Sequence, residues 1–291
     1  MNGILIVDKP QDWTSHDVVA KLRGIYRERR IGHSGTLDPM ATGVLAVFLG
    51  RATRAVELCE NDEKTYIAGL RLGTVTNTQD ITGEILEARP ADITEMQLRQ
   101  VLLQFLGQQQ QLPPMYSAVK IQGKKLYELA RKGQTVERKP RNIVIHELKL
   151  LGRQQEDFLL EVRCSKGTYI RTLCHDIGEK LGCGGCLSSL RRTAVGRFSI
   201  ENAVTLEDVL EAQMAGTQYE LLRPVDSLFD CFPSLMVQGE AERRMRNGGT
   251  VLLKNQPDGE YRVYGQNGEF LLLGRVMAET LTTVKSFFEV K

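Results

Sequence analysis

Gly32-His33-Ser34-Gly35-Thr36-Leu37-Asp38-Pro39-Met40-Ala41-Thr42-Gly43 is a polar loop with three glycines and one proline, and it runs directly into the apolar stretch Val44-Leu45-Ala46-Val47-Phe48-Leu49. Glycines let a backbone turn sharply or approach a ligand closely, and loops carried by a rigid scaffold are where catalytic carboxylates tend to sit. Asp38 has two readings here. Followed by Pro39, it is an expected helix N-cap with proline at the first helical position, or an Asx turn, and proline also holds Asp38 extended. The alternative is a carboxylate presented for chemistry. The apolar stretch is equally open, because so short a run can be a buried strand or a buried helix.

On the N-terminal side, Gly3-Ile4-Leu5-Ile6-Val7-Asp8-Lys9-Pro10 reads as a short strand ended by a proline-containing turn. A helix follows, capped by Ser15 or Thr14. Val18, Val19, Leu22 and Ile25 recur at helical spacing, while Lys21, Arg23, Arg27, Arg29 and Arg30 take mainly the other face. On the C-terminal side, Thr65–Leu72 alternates like a strand, and Glu95–Leu106 reads as a helix with Leu98, Val101, Leu102 and Phe105 on one stripe. Strands are predicted at Arg141–Leu151 and Phe158–Cys164, and a helix from about Tyr169 to Leu181. This alternation indicates an α+β or mixed-sheet domain. A boundary is expected near Phe232-Pro233-Ser234. Beyond it, Glu240–Arg246 reads as one short helix, and Tyr261–Gly265 and Phe270–Val276 flank an Asn267-Gly268 hairpin signal.

A chain of 291 residues with 42% hydrophobic content buries a substantial core, and its length suits one large domain and one small one. No basic leader precedes a long apolar run, and the longest apolar stretch is too short to span a bilayer, so a cytoplasmic protein with six reduced cysteines is expected. Cys183-Gly184-Gly185-Cys186, with Cys174 and His175 upstream, can be drawn as a zinc site or redox pair. It lacks a second spaced pair and a redox context, and no metal is expected. Gly32-x-x-Gly35 is a weak phosphate-loop candidate without a following Gly-Lys-Ser/Thr. The net charge of +2 is unevenly spread. Lys120–Arg141 holds eight Lys/Arg against two Glu, and Glu201–Asp230 holds seven acidic residues against one Arg. The basic segment is either a solvated face or a surface for a polyanion.

The run Arg30-Ile31-Gly32-His33-Ser34-Gly35-Thr36-Leu37-Asp38-Pro39 resembles the aspartate motif of the TruB family, bacterial tRNA pseudouridine(55) synthases. Further blocks match in the expected order: Leu5–Pro10, Lys64-Thr65-Tyr66, Pro114–Lys120 with Gly123–Tyr127, Cys164–Thr172, and Leu190-Arg191-Arg192-Thr193. The resemblance is strong to about Asp230 and weak beyond.

It implies a mixed, largely antiparallel catalytic domain of the pseudouridine synthase type at 1–232, with a basic RNA-binding insertion around 115–141, and a small β-rich PUA-like RNA-binding domain at 233–291. The implied activity is isomerisation of the T-loop uridine at position 55 of tRNA by base flipping and an essential aspartate, with help to tRNA folding as a further role. Asp38 would be the catalytic carboxylate, Tyr66 would stack on the flipped uracil, Arg171 would pair with Asp38, and Leu190 would wall the pocket. Asp80 and Tyr169 match positions near the site. His33 matches a residue that fills space in the opened T-loop, and Lys9, with Pro10, matches a motif packed close by. Lys120, Lys124, Lys125, Arg131 and Lys132 of the insertion would meet RNA phosphates. The isomerisation moves no net electrons or groups, so no cofactor or metal is implied. The partner would be the tRNA T stem-loop, with no membrane, and the protein would act as a monomer. The rivals are a tRNA-binding protein without chemistry and a synthase of the same superfamily acting on another RNA.

Overall fold

The computed structural model describes residues 2–59, 62–121 and 123–288. From the N-terminus the chain runs β1 (Gly3–Lys9), α1 (Ser15–Tyr26), β2 (Ile31–His33), β3 (Thr42–Leu49), β4 (Lys64–Leu72) and a ribbon of β5 (Thr74–Thr76) and β6 (Ile85–Ala88). It continues through α2 (Glu95–Leu102), β7 (Gly107–Gln111), a second ribbon of β8 (Lys120–Ile121) and β9 (Lys124–Lys125), and α3 (Leu126–Ala130). Then come β10 (Arg141–Gln154), β11 (Asp157–Cys164), α4 (Ile170–Lys180), β12 (Gly185–Val195), β13 (Phe198–Ser199) and α5 (Leu206–Ala215). The main sheet has the order β1-β3-β12-β4-β11-β10-β7, with β2 on β3 and β13 on β12. Every pairing in it is antiparallel except β3 with β12, where Thr42 lies opposite Arg191 and Gly43 opposite Arg192.

The stretch Val44–Leu49 is a strand because both faces of the sheet are covered there. Ile4, Ile6, Val44, Ala46 and Phe48 point into one core, and Leu5, Val7, Leu45, Val47 and Leu49 into another. Alternation at period two survives in space, but every position is apolar because each face meets a packed layer. On one side α1 supplies Val18, Val19, Leu22 and Ile25. Of the two candidate caps of α1, Thr14 takes the role: its Oγ1 accepts from the Asp17 N–H at 3.0 Å, and Asp17 accepts from the Thr14 N–H at 2.9 Å, a capping box. A third core lies among β4, β10, β11, α2 and α4.

Two expectations are corrected. No helix begins at Asp38-Pro39; the Asp38 carbonyl accepts from the Ala41 N–H at 3.0 Å, closing a turn that leads into β3. The helix expected to reach Leu106 stops at Leu102, and a single 3₁₀ turn over Leu103–Phe105 follows before Gly107, at φ +87°, reverses the chain into β7. The Cys183–Cys186 stretch is the turn from α4 into β12. A Cβ at Gly178 would lie 2.2 Å from the Gly185 nitrogen, so the glycines let helix and strand touch. Burial pushes the Cys186 thiol up to about 11 and that of Cys174 higher still.

After α5 the chain forms a second, five-stranded sheet in the order β14-β16-β17-β18-β15: β14 (Ser234–Met236), β15 (Val251–Leu252), β16 (Gly259–Tyr264), β17 (Phe270–Met277) and β18 (Thr280–Ser286), with α6 (Gly239–Arg246) packed on it. The β16–β17 hairpin turns at Gly268, φ +75°, as the Asn-Gly pair predicts. Leu273 of β17 and Phe287, just past the end of β18, pack against Val225 and Phe229 in the core under β1 and β3, so the tail helps close the other face of those strands. No described helix is long and apolar enough to cross a membrane.

Candidate active site

Four elements end around one cleft of about 470 Å³. The glycine loop between β2 and β3 brings Asp38, β4 brings Tyr66, β12 brings Leu190 and Arg192, and the start of α4 brings Tyr169 and Arg171. Ser117, at the root of the basic segment, forms part of the rim.

The loop is held from behind by residues far away in sequence. Ser15, released from capping α1, accepts from the Leu37 N–H at 2.9 Å and donates to the Leu37 carbonyl at 3.3 Å. Lys9 is fully buried, and its Nζ donates to the carbonyls of Trp13 at 2.6 Å, Pro10 at 2.8 Å and Pro39 at 3.3 Å. Burial lowers its pKa to about 8, against the opposing pull of Asp12 and Asp38. Lys9 lies outside the cleft lining and fixes the residue next to Asp38. At the other end of the loop, a Cβ on Gly43, φ +100°, would sit 2.2 Å from the Arg192 carbonyl oxygen. Only glycine admits the close parallel approach of β3 to β12 there.

Arg171 joins the site together. Its side chain is 7% exposed, and its Nε meets Asp38 Oδ2 at 2.9 Å while its Nη1 meets Asp80 Oδ2 at 3.5 Å. Nη1 also donates to the Thr78 carbonyl at 3.0 Å, and Nη2 to the Tyr116 carbonyl at 2.7 Å. Asp80 stands behind Arg171. Its other oxygen accepts from the Thr82 hydroxyl at 2.5 Å, the Thr78 hydroxyl at 2.9 Å and the Thr82 N–H at 3.1 Å. A carboxylate so saturated compensates the buried guanidinium and fixes its plane, leaving Nε for Asp38. The Asp38 side chain is 41% exposed and faces the cleft.

The remaining walls are mainly apolar and cationic. Tyr66 is buried in β4 opposite Val162 and Arg192, and burial pushes its phenol up. Arg192 is fully buried, donating to the Val44 carbonyl at 2.7 Å and the Gly35 carbonyl at 3.0 Å, with no carboxylate partner among the described residues. Its neighbour Arg191 makes a two-pronged pair with Asp8, at 2.7 and 3.2 Å, joining the last matched motif to the first. Burial, then the nearby His16 and Arg192, hold the His33 imidazole below its ordinary pKa.

Asp38, Tyr66, Arg171, Leu190, Tyr169 and His33 line the cleft together, and Asp80 and Lys9 support it from outside. Lys120, Lys124, Lys125, Arg131 and Lys132 do not line it. They sit on the β8–β9 ribbon and around α3, mostly exposed, with Lys125 and Arg131 over the Tyr127 ring at 5.3 and 5.4 Å and no ion pair among the described residues. Ser15, Gln111, Lys64, Lys166 and Arg192 were missed as site residues. Lys64, Lys166 and Arg192 lie inside matched motifs; Ser15 and Gln111 carry no local signal, because their partners are set by chain pairing.

Residues 23–170 match the model of the TruB family pseudouridylate synthase N-terminal domain, and 171–230 match the tRNA pseudouridylate synthase B C-terminal domain. The chain is 43% identical over 281 residues to a protein of Azoarcus sp. (strain BH72) named tRNA pseudouridine synthase B, covering 97% of this chain and 93% of that one. It is 47% identical over 249 residues to a protein of the same name from Syntrophotalea carbinolica, covering 85% and 81%. Among solved structures it resembles a chain of "Crystal Structure of a Cbf5-Nop10-Gar1 Complex", at TM-score 0.72 and 27% identity, covering 98% of this chain and 85% of that one.

Proposed function

The chain belongs to the TruB family of pseudouridylate synthases, and from that premise we propose that it converts the uridine at position 55 in the tRNA T-loop to pseudouridine, with Asp38 as the catalytic carboxylate. That it is a tRNA pseudouridine synthase rests on relatives of that name matched over nearly the whole chain. The observation that carries the finer reading is Asp38 itself. It is the one carboxylate among the described residues lining the cleft, and Arg171 holds it at 2.9 Å.

In the reaction the bond from ribose C1′ to uracil N1 breaks, the base turns, and C1′ joins C5. The hydrogen on C5 leaves as a proton and N1 ends protonated, so atoms and electrons balance within the nucleotide and water. Asp38 is the group in reach for nucleophilic or elimination assistance at C1′ or the base. The uridine must leave its stack, at a cost of a few kcal/mol, and the Tyr66 ring offers an aromatic face worth roughly 1–3 kcal/mol per stacked base. His33 is read as filling space within the opened T-loop, as the family resemblance implies. Lys64, Lys166, Arg171 and Arg192 make the cleft cationic overall, which favours entry of a phosphate chain.

The same reading assigns Lys120, Lys124, Lys125, Arg131 and Lys132 to RNA phosphates, 1–232 to the catalytic domain and 233–291 to a PUA-like RNA-binding domain. It has the protein acting as a monomer in the cytoplasm. The test is nucleotide-resolution mapping of unmodified tRNA after incubation with the parent protein or the Asp38→Asn variant. Pseudouridine is expected at position 55 with the parent and nowhere with the variant, whose tRNA affinity stays within about tenfold, 1.4 kcal/mol. A parental yield from the variant removes Asp38 from the mechanism, and modification elsewhere removes position 55.

A further inference from the structure

Gln111, the last residue of the edge strand β7, is 4% exposed, and both ends of its side-chain amide bond to one residue of the cleft wall. Its Oε1 accepts from the Tyr169 N–H at 2.8 Å, and its Nε2 donates to the Tyr169 carbonyl at 3.0 Å. The pair imitates the two bonds that a neighbouring strand would exchange with Tyr169. Tyr169 is the N-cap of α4, with extended dihedrals (φ −97°, ψ 110°) and no cap from its own side chain. Its carbonyl also accepts the first bond of that helix, from the Leu173 N–H at 3.0 Å. Gln111 therefore holds the residue on which α4 starts.

Arg171 is the second residue of α4, so whatever sets the helix start sets the reach of the guanidinium to Asp38. The main chain leaves Gln111 for Tyr116, whose carbonyl accepts from Arg171 Nη2 at 2.7 Å, which makes a closed circuit of Gln111, Tyr169, Arg171 and Tyr116. Resting on the function proposed above, we propose that Gln111 is a positioning residue of the isomerisation, acting through Tyr169 and the first turn of α4 on the Arg171–Asp38 pair. The side chain must present one donor and one acceptor in a plane. An amide does so at any pH, and a carboxyl does so only while protonated.

The experiment uses the full chain and unmodified tRNA carrying tritium at uridine C5, with enzyme in excess so that one turnover is read. Gln111→Met keeps the side-chain length and loses both bonds; tritium release is expected to slow at least tenfold while the tRNA Kd stays within threefold. Gln109→Met, on the same strand but bonded to the Phe105 carbonyl at 2.6 Å, is expected to stay parental. Gln111→Glu discriminates positioning from general support. Divided by the parent rate at the same pH, its rate is expected to rise at least fivefold from pH 8 to pH 5.5, as protonation restores the donor, while the ratio for Gln111→Met stays flat. A folded Gln111→Met variant with parental release overturns the inference. If that variant does not fold, a Gln111→Glu ratio that ignores pH overturns it. A parent that releases no tritium refutes the functional reading and with it any role in that reaction, whereas an active parent with unaffected Gln111 variants refutes the inference alone.

Discussion

Replacing Arg171 by Lys keeps the charge and most of the stem but exchanges a planar fork for one ammonium. The fork reaches Asp38 at 2.9 Å and Asp80 at 3.5 Å, and donates to the Thr78 and Tyr116 carbonyls at 3.0 and 2.7 Å, from a side chain that is 7% exposed. One nitrogen cannot stand in three places. If the ammonium stays with the carboxylates, two buried carbonyls lose a charged donor, and at about 1.5 kcal/mol for each such bond the fold loses about 3 kcal/mol. For a chain of this size that lowers Tm by about 5 °C. Asp38 also loses the Nε that orients it, and a displacement of about 1 Å at a reacting group costs on the order of a hundredfold in rate. Thermal unfolding measures the first effect and single-turnover tritium release from C5-labelled tRNA the second. A variant that melts within about 1 °C of the parent, or that melts low but reacts at the parental rate, would falsify the claim that the fork both holds the site and aims Asp38. A double-mutant cycle with Asp80→Asn locates the network: coupling of about 1 kcal/mol is expected, and additivity within about 0.5 kcal/mol would take Asp80 out of it.

Gly43→Ala is expected to destabilise the protein by more than about 3 kcal/mol, since the new Cβ would meet the Arg192 carbonyl at 2.2 Å on a backbone at φ +100°; a well-folded variant of near-parental stability by denaturant titration refutes the close β3–β12 contact. The Lys9 ammonium is disfavoured in the fold, with a pKa of about 8 against an ordinary 10.5, so the folded chain binds fewer protons than the unfolded one between those values and stability rises with pH across that window. Relative to Lys9→Met, the parent should gain up to about 3 kcal/mol from pH 7.5 to 10.5, and a flat difference would mean that Lys9 is not held among the three carbonyls. Combined replacement of Lys124, Lys125, Arg131 and Lys132 by Ala should weaken tRNA binding and flatten its dependence on salt, because fewer counterions are released; an unchanged salt slope returns this segment to a solvated face.

The local signals read well where neighbours in sequence settle the matter. The strand at Gly3–Lys9, the helix at Ser15–Tyr26, the helix at Ile170–Lys180 and the Gly268 hairpin each follow from apolar spacing, caps and turn residues within a few positions. Asp38, Tyr66, Arg171 and Leu190 were legible only as members of ordered motifs, because nothing in the local chemistry of an Asp-Pro pair separates a catalytic loop from a turn. The turn is in fact formed, and Asp38 faces the cleft from it.

Sequence alone determined the alternation of elements, the mixed-sheet class, the motif order and the basic character of 120–141. The tertiary structure decided what those elements become when packed. Val44–Leu49 is a strand because α1 closes one face and Phe287 with its neighbours closes the other, and no periodicity within six apolar residues can announce cover on both sides. Ser15 serves Leu37 instead of capping its helix, Lys9 holds the carbonyl beside Asp38, and Gln111 clamps Tyr169, all across sequence gaps that only strand pairing closes. The site is assembled by contacts of this kind. Each residue's chemistry is written in its side chain, but its partner is fixed by the register of a sheet that forms only when distant strands meet and bury their common core.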